Sequence, residues 1–134
     1  MMQQKFERSL DQLKSIVAMS EKFFDQHHLD PALRNVVDLA VEELFVNMVT
    51  YNSESRENIL IEMSAISDGI EVSLTDFDVE RFDPRNVPEV DINAPLEERT
   101  PHGLGLYLVS KMVDSIHYEY KNRESRITFR KKVG

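Results

Sequence analysis

The segment EELFVNMVTY, residues 42–51, decides the fold of this 134-residue chain. On a helix with about 100° between successive residues, Asn47 falls within a wide apolar arc, Glu43 lies just beyond its edge, and Glu42 points to solvent. The arc consists of Leu33, Val36, Val37, Ala40, Val41, Leu44 and Met48. A carboxylate and an amide at i and i+4 share one helix face, and each is costly against an apolar surface without a ligand, ion or polar partner. Glu43 and Asn47 are therefore candidate site residues, or else a boundary glutamate and an asparagine bonded to a neighbouring loop.

The residues on either side of this segment predict a series of helices and strands. Asp30 and Pro31 favour a helix N-terminus, and the alternating runs on both sides of residues 67–69 predict a β-hairpin. The expected elements are helices over residues 9–26, 30–51 and 103–113, and strands over 59–65, 70–76, 116–120 and 126–131. Because helices and strands come in blocks, we expect one α+β domain over residues 1–134, a two-layer sandwich. Its sheet should be mixed but mostly antiparallel, with one face covered by about three helices.

Residues 77–102 form a long stretch without helical or strand periodicity. Four of the five prolines of the chain, at positions 84, 88, 95 and 101, interrupt it. A loop of this length inside a compact domain is uncommon and usually forms a lid or a binding segment. We therefore expect a lid over residues 77–102.

Composition excludes several classes of function. The chain has 24 acidic and 16 basic residues, a net charge of −8, so no overall field attracts phosphate backbones or anionic lipid. Nucleic acid and membranes are not expected partners. The absence of cysteine excludes a disulfide framework, a thiolate zinc site and a cysteine nucleophile. No apolar signal segment opens the sequence and no run is long enough to span a membrane, so we expect a cytoplasmic location.

Two polar residues on the expected strands face the apolar layer. Asp76 has the parity of the apolar residues of its strand, so its carboxylate needs a donor there. That donor is either the exocyclic amine of a purine or a backbone N–H of the following loop. Ser125 has the parity of Ile127 and Phe129, and we expect its hydroxyl on the same interior side.

Gly103 and Gly105 stand at the expected start of the third helix. Orphan N–H groups and the positive end of a helix dipole can receive a phosphate at such a position, and an ordinary tight turn is the alternative. A third glycine of a dinucleotide fingerprint is missing, and no glycine-rich loop ends in Lys-Ser or Lys-Thr. The Rossmann and P-loop classes are therefore excluded.

The order of these motifs resembles that of the GHKL family of ATP-binding proteins over nearly the whole chain. The motifs of this chain are, in order, an acid-x-x-x-Asn pair on a long helix, a hairpin that ends in Asp, a long loop and Gly-x-Gly at a helix start. Within that family the chain is most similar to the anti-sigma-factor serine/threonine kinases of bacterial partner-switching systems. This similarity rests on Phe82-Asp83-Pro84, APLEER at 94–99, GLGLYLV at 103–109, Val113-Asp114 and ITFRK at 127–131.

The resemblance implies the GHKL (Bergerat) sandwich fold, ATP and Mg²⁺ as cofactors, and a role for each matched residue. Glu43 would be the general base for a substrate serine, and Asn47 would hold the Mg²⁺ that bridges the ATP phosphates. Asp76, with Ser125 behind it, would recognise the adenine amino group. The backbone at Gly103 and Gly105 would approach the phosphates, with residues 77–102 as the ATP lid.

The resemblance also implies the partners. These are a STAS-type antagonist protein as substrate, a sigma factor or other regulator that is sequestered, and a second copy in a homodimer. In one place the chain departs from the family, because Asp78 stands where a glycine is usual. Glycine adopts the left-handed region freely, whereas aspartate only tolerates it. We therefore expect a reshaped adenine loop or weaker nucleotide affinity. The alternative function is a non-catalytic protein-binding module of the same fold.

Overall fold

The computed structural model describes residues 1–51, 55–80 and 109–133. Within these ranges the helices are α1, Leu13–His27, and α2, Arg34–Tyr51, preceded by the 3₁₀ turns Leu10–Gln12 and Pro31–Leu33 respectively. Residues 109–112 are also helical. The strands are β1, Met2–Phe6, β2, Ile59–Ile66, β3, Gly69–Phe77, β4, Ser115–Lys121, and β5, Glu124–Lys132.

The strands form one sheet in the order β1-β2-β3-β5-β4, and every neighbouring pair in it is antiparallel. Alternate residues of each strand face the helices and join their apolar side chains in one core. Its largest fully buried side chains include Phe6, Phe23, Phe45, Ile59, Ile61, Leu74 and Phe129. The predicted α+β sandwich with helices on one face is confirmed. The sheet was expected to be mixed but mostly antiparallel, and the described strands are antiparallel throughout.

The start of α2 follows from its sequence. The Asp30 carboxylate accepts a hydrogen bond from the backbone N–H of Ala32 at 2.9 Å, and Pro31 opens the first turn. That turn is 3₁₀, so the α-helix itself begins at Arg34. This start sets the phase of α2, which buries Asn47 and leaves Glu42 exposed.

Residues with positive φ make the turns of the two hairpins in the described part of the chain, β2–β3 and β4–β5. Asp68 has φ 61°, and a Cβ on the following Gly69 would clash with the backbone carbonyl of Lys131. The turn between β4 and β5 consists of Asn122 at φ 53° and Arg123 at φ 62°. Two central residues with positive φ are the signature of a type I′ turn, whose twist matches that of the strands it joins.

The N-terminal residues differ from the sequence prediction. Residues 2–6 form the edge strand β1, which pairs with β2, whereas no strand was expected before the first helix. Phe6 is the one deeply buried residue of β1, so the sequence of this strand shows little of the apolar–polar alternation that predicts a strand. The α-helix begins at Leu13 rather than near Ser9 because residues 10–12 form a 3₁₀ turn.

Some predictions fall on residues outside the described ranges. They concern Gly103, Gly105 and the expected lid beyond residue 80. In the part of the chain that the structure describes, no helix combines the length and the apolar content needed to cross a bilayer.

Candidate functional site

Two candidate residues lie on α2, which packs against β3. Asn47 is 3% exposed, and its side-chain Nδ2 donates a hydrogen bond to the backbone carbonyl of Glu43 at 2.6 Å. Its Oδ1 is buried and accepts no hydrogen bond from any residue within the described ranges. An unsatisfied buried acceptor costs about 1–3 kcal/mol, which a ligand contacting it would recover. Glu43, one turn earlier, is half-buried, and Glu42 is exposed, as the helical phase predicted.

A second pair of candidates lies on the sheet. Asp76 of β3 is directly opposite Ser125 of β5. The carboxylate residue is fully buried and the serine is 4% exposed. Opposite residues of an antiparallel pair have Cβ atoms about 4.5–5.5 Å apart and point to the same face. The structure therefore brings together the two polar residues that strand parity placed in the interior.

Arg8, which no sequence pattern marked as a site residue, joins the two pairs. Its guanidinium forms an ion pair with Asp76, and its side chain is 10% exposed. Nε donates to the backbone carbonyl of Glu57 at 2.9 Å, and Nη1 donates to that of Met48 at 3.2 Å. Met48 follows Asn47 on α2, so Arg8 connects the helix to the end of β3. Burial lowers the pKa of Arg8 and the charge of Glu57 opposes that shift, but a guanidinium remains protonated.

The residues that follow β3 are hydrogen-bonded to the β4–β5 hairpin. Asp78 has φ 55°, the left-handed conformation that glycine adopts most easily. Its carboxylate accepts a hydrogen bond from Nε of Arg123 at 2.9 Å, and this bond raises the pKa of Arg123. The next residue, Val79, donates its backbone N–H to the carbonyl of Arg123 at 3.0 Å. Its own carbonyl accepts from the Tyr120 hydroxyl at 2.8 Å.

The donor set fits a magnesium ion that arrives with a phosphate ligand. Within the described ranges no three His, Cys, Asp or Glu side chains converge on one point, so these residues form no closed metal cage. Mg²⁺ usually keeps several waters and takes one or two protein oxygens together with substrate phosphates. The buried Oδ1 of Asn47, with no hydrogen-bond partner among the described residues, is an oxygen of this kind.

Comparison with known proteins places this two-layer α+β fold in a family. Residues 6–131 match the histidine kinase-like ATPase domain, so the chain belongs to that family. This membership makes it a kinase-like ATP-binding module. No curated protein matches the chain.

Two solved structures show the same fold. The structure of the RsbU and RsbW domains of Rv1364c from Mycobacterium tuberculosis is similar with a TM-score of 0.67 and 11% identity, over 98% of this chain and 32% of that one. The histidine kinase AdeS from Acinetobacter baumannii is similar with a TM-score of 0.53 and 17% identity, over 98% and 68% of the two chains. This chain thus spans about a third of the mycobacterial chain. At these identities the likeness concerns the fold alone.

The candidate site thus has an α2 end and a β3 end, and two of the predicted residues lie at each. Asn47 and Glu43 form the α2 end, and Asp76 with Ser125 forms the β3 end. Arg8 had no signal of its own in the sequence, because one basic residue next to a polar turn is typical of a solvated surface. It becomes visible only when β1 pairs with β2 and carries it to the interior.

Proposed function

We propose that this protein is an ATP-dependent switch kinase. It phosphorylates a serine on a small STAS-type antagonist protein and, in alternation, sequesters a sigma factor or another regulator. The observation that carries the proposal is the buried amide oxygen of Asn47, which lacks a hydrogen-bond partner within the described ranges. Buried polar atoms are normally satisfied within the protein, so this oxygen favours a ligand, and in an ATPase-domain family that ligand is Mg²⁺ with ATP.

The β3 end supports the same proposal from the other side of the site. An ionised carboxylate at Asp76 accepts hydrogen bonds, and the Ser125 hydroxyl opposite it can both donate and accept. Adenine presents an amino donor next to a ring-nitrogen acceptor. The two buried side chains thus match the edge of this base, whereas a purely structural pair would need no ligand.

In the proposed reaction the serine oxygen of the antagonist attacks the γ-phosphorus of ATP, Glu43 takes the hydroxyl proton, and ADP leaves. Phosphoryl transfer depends mainly on positioning and on charge neutralisation, with little covalent work for the protein. Mg²⁺ bound with ATP would supply that neutralisation. Glu43 is half-buried at the edge of the apolar arc, so it borders both the interior and the surface from which a protein substrate would approach.

Calorimetric titration with ATP and Mg²⁺ tests the nucleotide site. We expect the wild type to bind, Asn47→Ala to bind at least about tenfold more weakly, and Asn35→Ala to bind like the wild type. Asn35 is the matched control because it is an exposed asparagine on the same helix. A folded wild type that binds no nucleotide would contradict the kinase and leave the sequestering, non-catalytic module.

Phosphotransfer tests the substrate. The protein and radiolabelled ATP are incubated together with each STAS-type protein encoded in the same genome, one substrate in each reaction. Label on a serine of one of them is the expected result, and ATP binding without any transfer would contradict the kinase activity.

The proposal includes a cytoplasmic location and a homodimer formed through α1 or an edge strand of the sheet. Edge strands present unpaired backbone groups that can pair with a second copy, and β1 and β4 are the edges of the described sheet. Light scattering across a concentration series is expected to show twice the monomer mass.

A further inference from the structure

Arg8 is held in place more firmly than a surface arginine. Its side chain is 10% exposed, and its guanidinium contacts three different parts of the chain. Two of these contacts are backbone carbonyls, those of Glu57 and Met48, whose positions the fold fixes. The third is the fully buried carboxylate of Asp76. Contacts within the protein thus hold the Arg8 cation next to Asp76, independently of any ligand.

A fixed cation next to a buried carboxylate influences the protonation state of that carboxylate. A buried carboxylate without a cation tends to take up a proton, because the charged form is poorly solvated in the interior. A nearby guanidinium favours the ionised form instead. The ionised form only accepts hydrogen bonds, whereas the protonated form also donates one.

We propose that Arg8 is a specificity-determining residue, which keeps Asp76 an acceptor and thereby selects a purine with an amine at position 6 over one with a carbonyl there. The inference rests on the proposed function, in which Asp76 contacts the base. A carboxylate has about four lone-pair positions, so the contact with Arg8 is compatible with a second contact to an amine. Arg8 acts through Asp76 and needs no contact with the nucleotide.

Titration with ATP and with ITP, each with Mg²⁺, isolates this effect. ITP carries a carbonyl at position 6 where ATP carries the amine, and the sugar and phosphates are the same. We expect the wild type to prefer ATP by about tenfold or more. Arg8→Gln is expected to weaken ATP binding and to bring the ratio of the two affinities towards one, because Asp76 can then be protonated and donate to the carbonyl.

Two variants control the experiment. Arg130→Gln removes an ion pair with Glu71 of the same strand β3, on the outer face of the sheet, where the arginine is 53% exposed. It is expected to leave the ATP-to-ITP ratio unchanged. Arg8→Lys keeps a cation next to Asp76 and is expected to retain the preference for ATP, which a loss of packing alone would not explain.

The outcomes separate the two proposals. If the wild type and Arg8→Gln bind ATP with the same preference over ITP, the inference is wrong and the proposed function stands. Tighter ATP binding by Arg8→Gln would also overturn the inference, because Arg8 would then be competing with adenine for the Asp76 carboxylate. If Arg8→Gln does not fold, a folded Arg8→Lys variant without the ATP preference overturns it. A wild type that binds neither nucleotide refutes the proposed function, and the inference falls with it.

Discussion

The α2 end and the β3 end of the site bury polar groups in the same core but treat them differently. At the α2 end the Oδ1 of Asn47 lacks a partner within the described ranges. At the β3 end Asp76 is compensated by a buried cation, and Arg8 is in turn held by two backbone carbonyls. The difference teaches that the proposed ligand would relieve an unsatisfied group at the α2 end, whereas at the β3 end the protein itself already compensates the buried charge. Substitutions at the two ends should therefore separate activity from stability.

The largest expected effect is on phosphotransfer at the α2 end. Glu43→Gln removes the proposed general base while its size is retained, so the rate of transfer to a STAS-type substrate is expected to fall by about 10²–10⁴. The thermal unfolding midpoint and the affinity for ATP should stay close to those of the wild type. The rate is measured with radiolabelled ATP under single-turnover conditions.

Glu42→Gln is the matched control for this loss, since Glu42 is the adjacent, exposed glutamate of α2. It should transfer phosphate at the wild-type rate. Equal rates for all three proteins would exclude Glu43 as the base.

The next largest effect concerns stability at the β3 end. Asp76→Ala leaves the buried guanidinium of Arg8 without its carboxylate, and breaking a buried pair from one side costs about 3–5 kcal/mol. Urea denaturation measures this loss as a lower midpoint at constant slope. Glu71→Ala, on the outer face of the same strand, breaks the half-exposed pair with Arg130 and should cost less than about 1 kcal/mol. If Asp76→Ala is no less stable than Glu71→Ala, the β3 end is not a structural element.

At the α2 end, stability should change in the opposite direction. Asn47→Leu removes the buried oxygen that has no partner within the described ranges, so the free energy of unfolding without nucleotide is expected to stay equal or to rise by about 1 kcal/mol. The same variant should lose most of its affinity for ATP with Mg²⁺. Denaturation and calorimetry on one preparation test both statements, and Asn35→Leu on the exposed side of α2 is the control. A loss of several kcal/mol in Asn47→Leu would mean that the asparagine is structural.

The sequence predicted the α2 end and the sheet partners of the β3 end, because both depend on local periods. Helical phase was enough to bury Asn47 and expose Glu42, and strand parity was enough to place Asp76 and Ser125 on one face. The cation at Arg8 could not be predicted in this way. Its partners lie far away in the sequence, and they meet only after β1 adds to the edge of the sheet. An ion pair between residues far apart in the sequence produces no periodic pattern from which it could be predicted.

The smallest expected effect is at Asp78, where the sequence and the structure lead to different expectations. From the sequence, aspartate in place of the usual glycine predicted a reshaped loop or weaker nucleotide binding. In the structure Asp78 already has φ 55°, and the bonds of Val79 to Arg123 and Tyr120 hold the loop through atoms that the substitution does not touch. The exposed pair with Arg123 contributes little by comparison.

Asp78→Gly is therefore expected to change the affinity for ATP by no more than about twofold. Tyr120→Phe, which removes the bond to the Val79 carbonyl, should weaken ATP binding more than Asp78→Gly does. Calorimetry on the two variants decides between the expectations. A gain of about tenfold or more in Asp78→Gly would mean that the aspartate limits nucleotide binding even in a backbone conformation that suits glycine. An affinity near that of the wild type would mean that the backbone bonds around Val79, and not the residue type at position 78, set the shape of the β3 end.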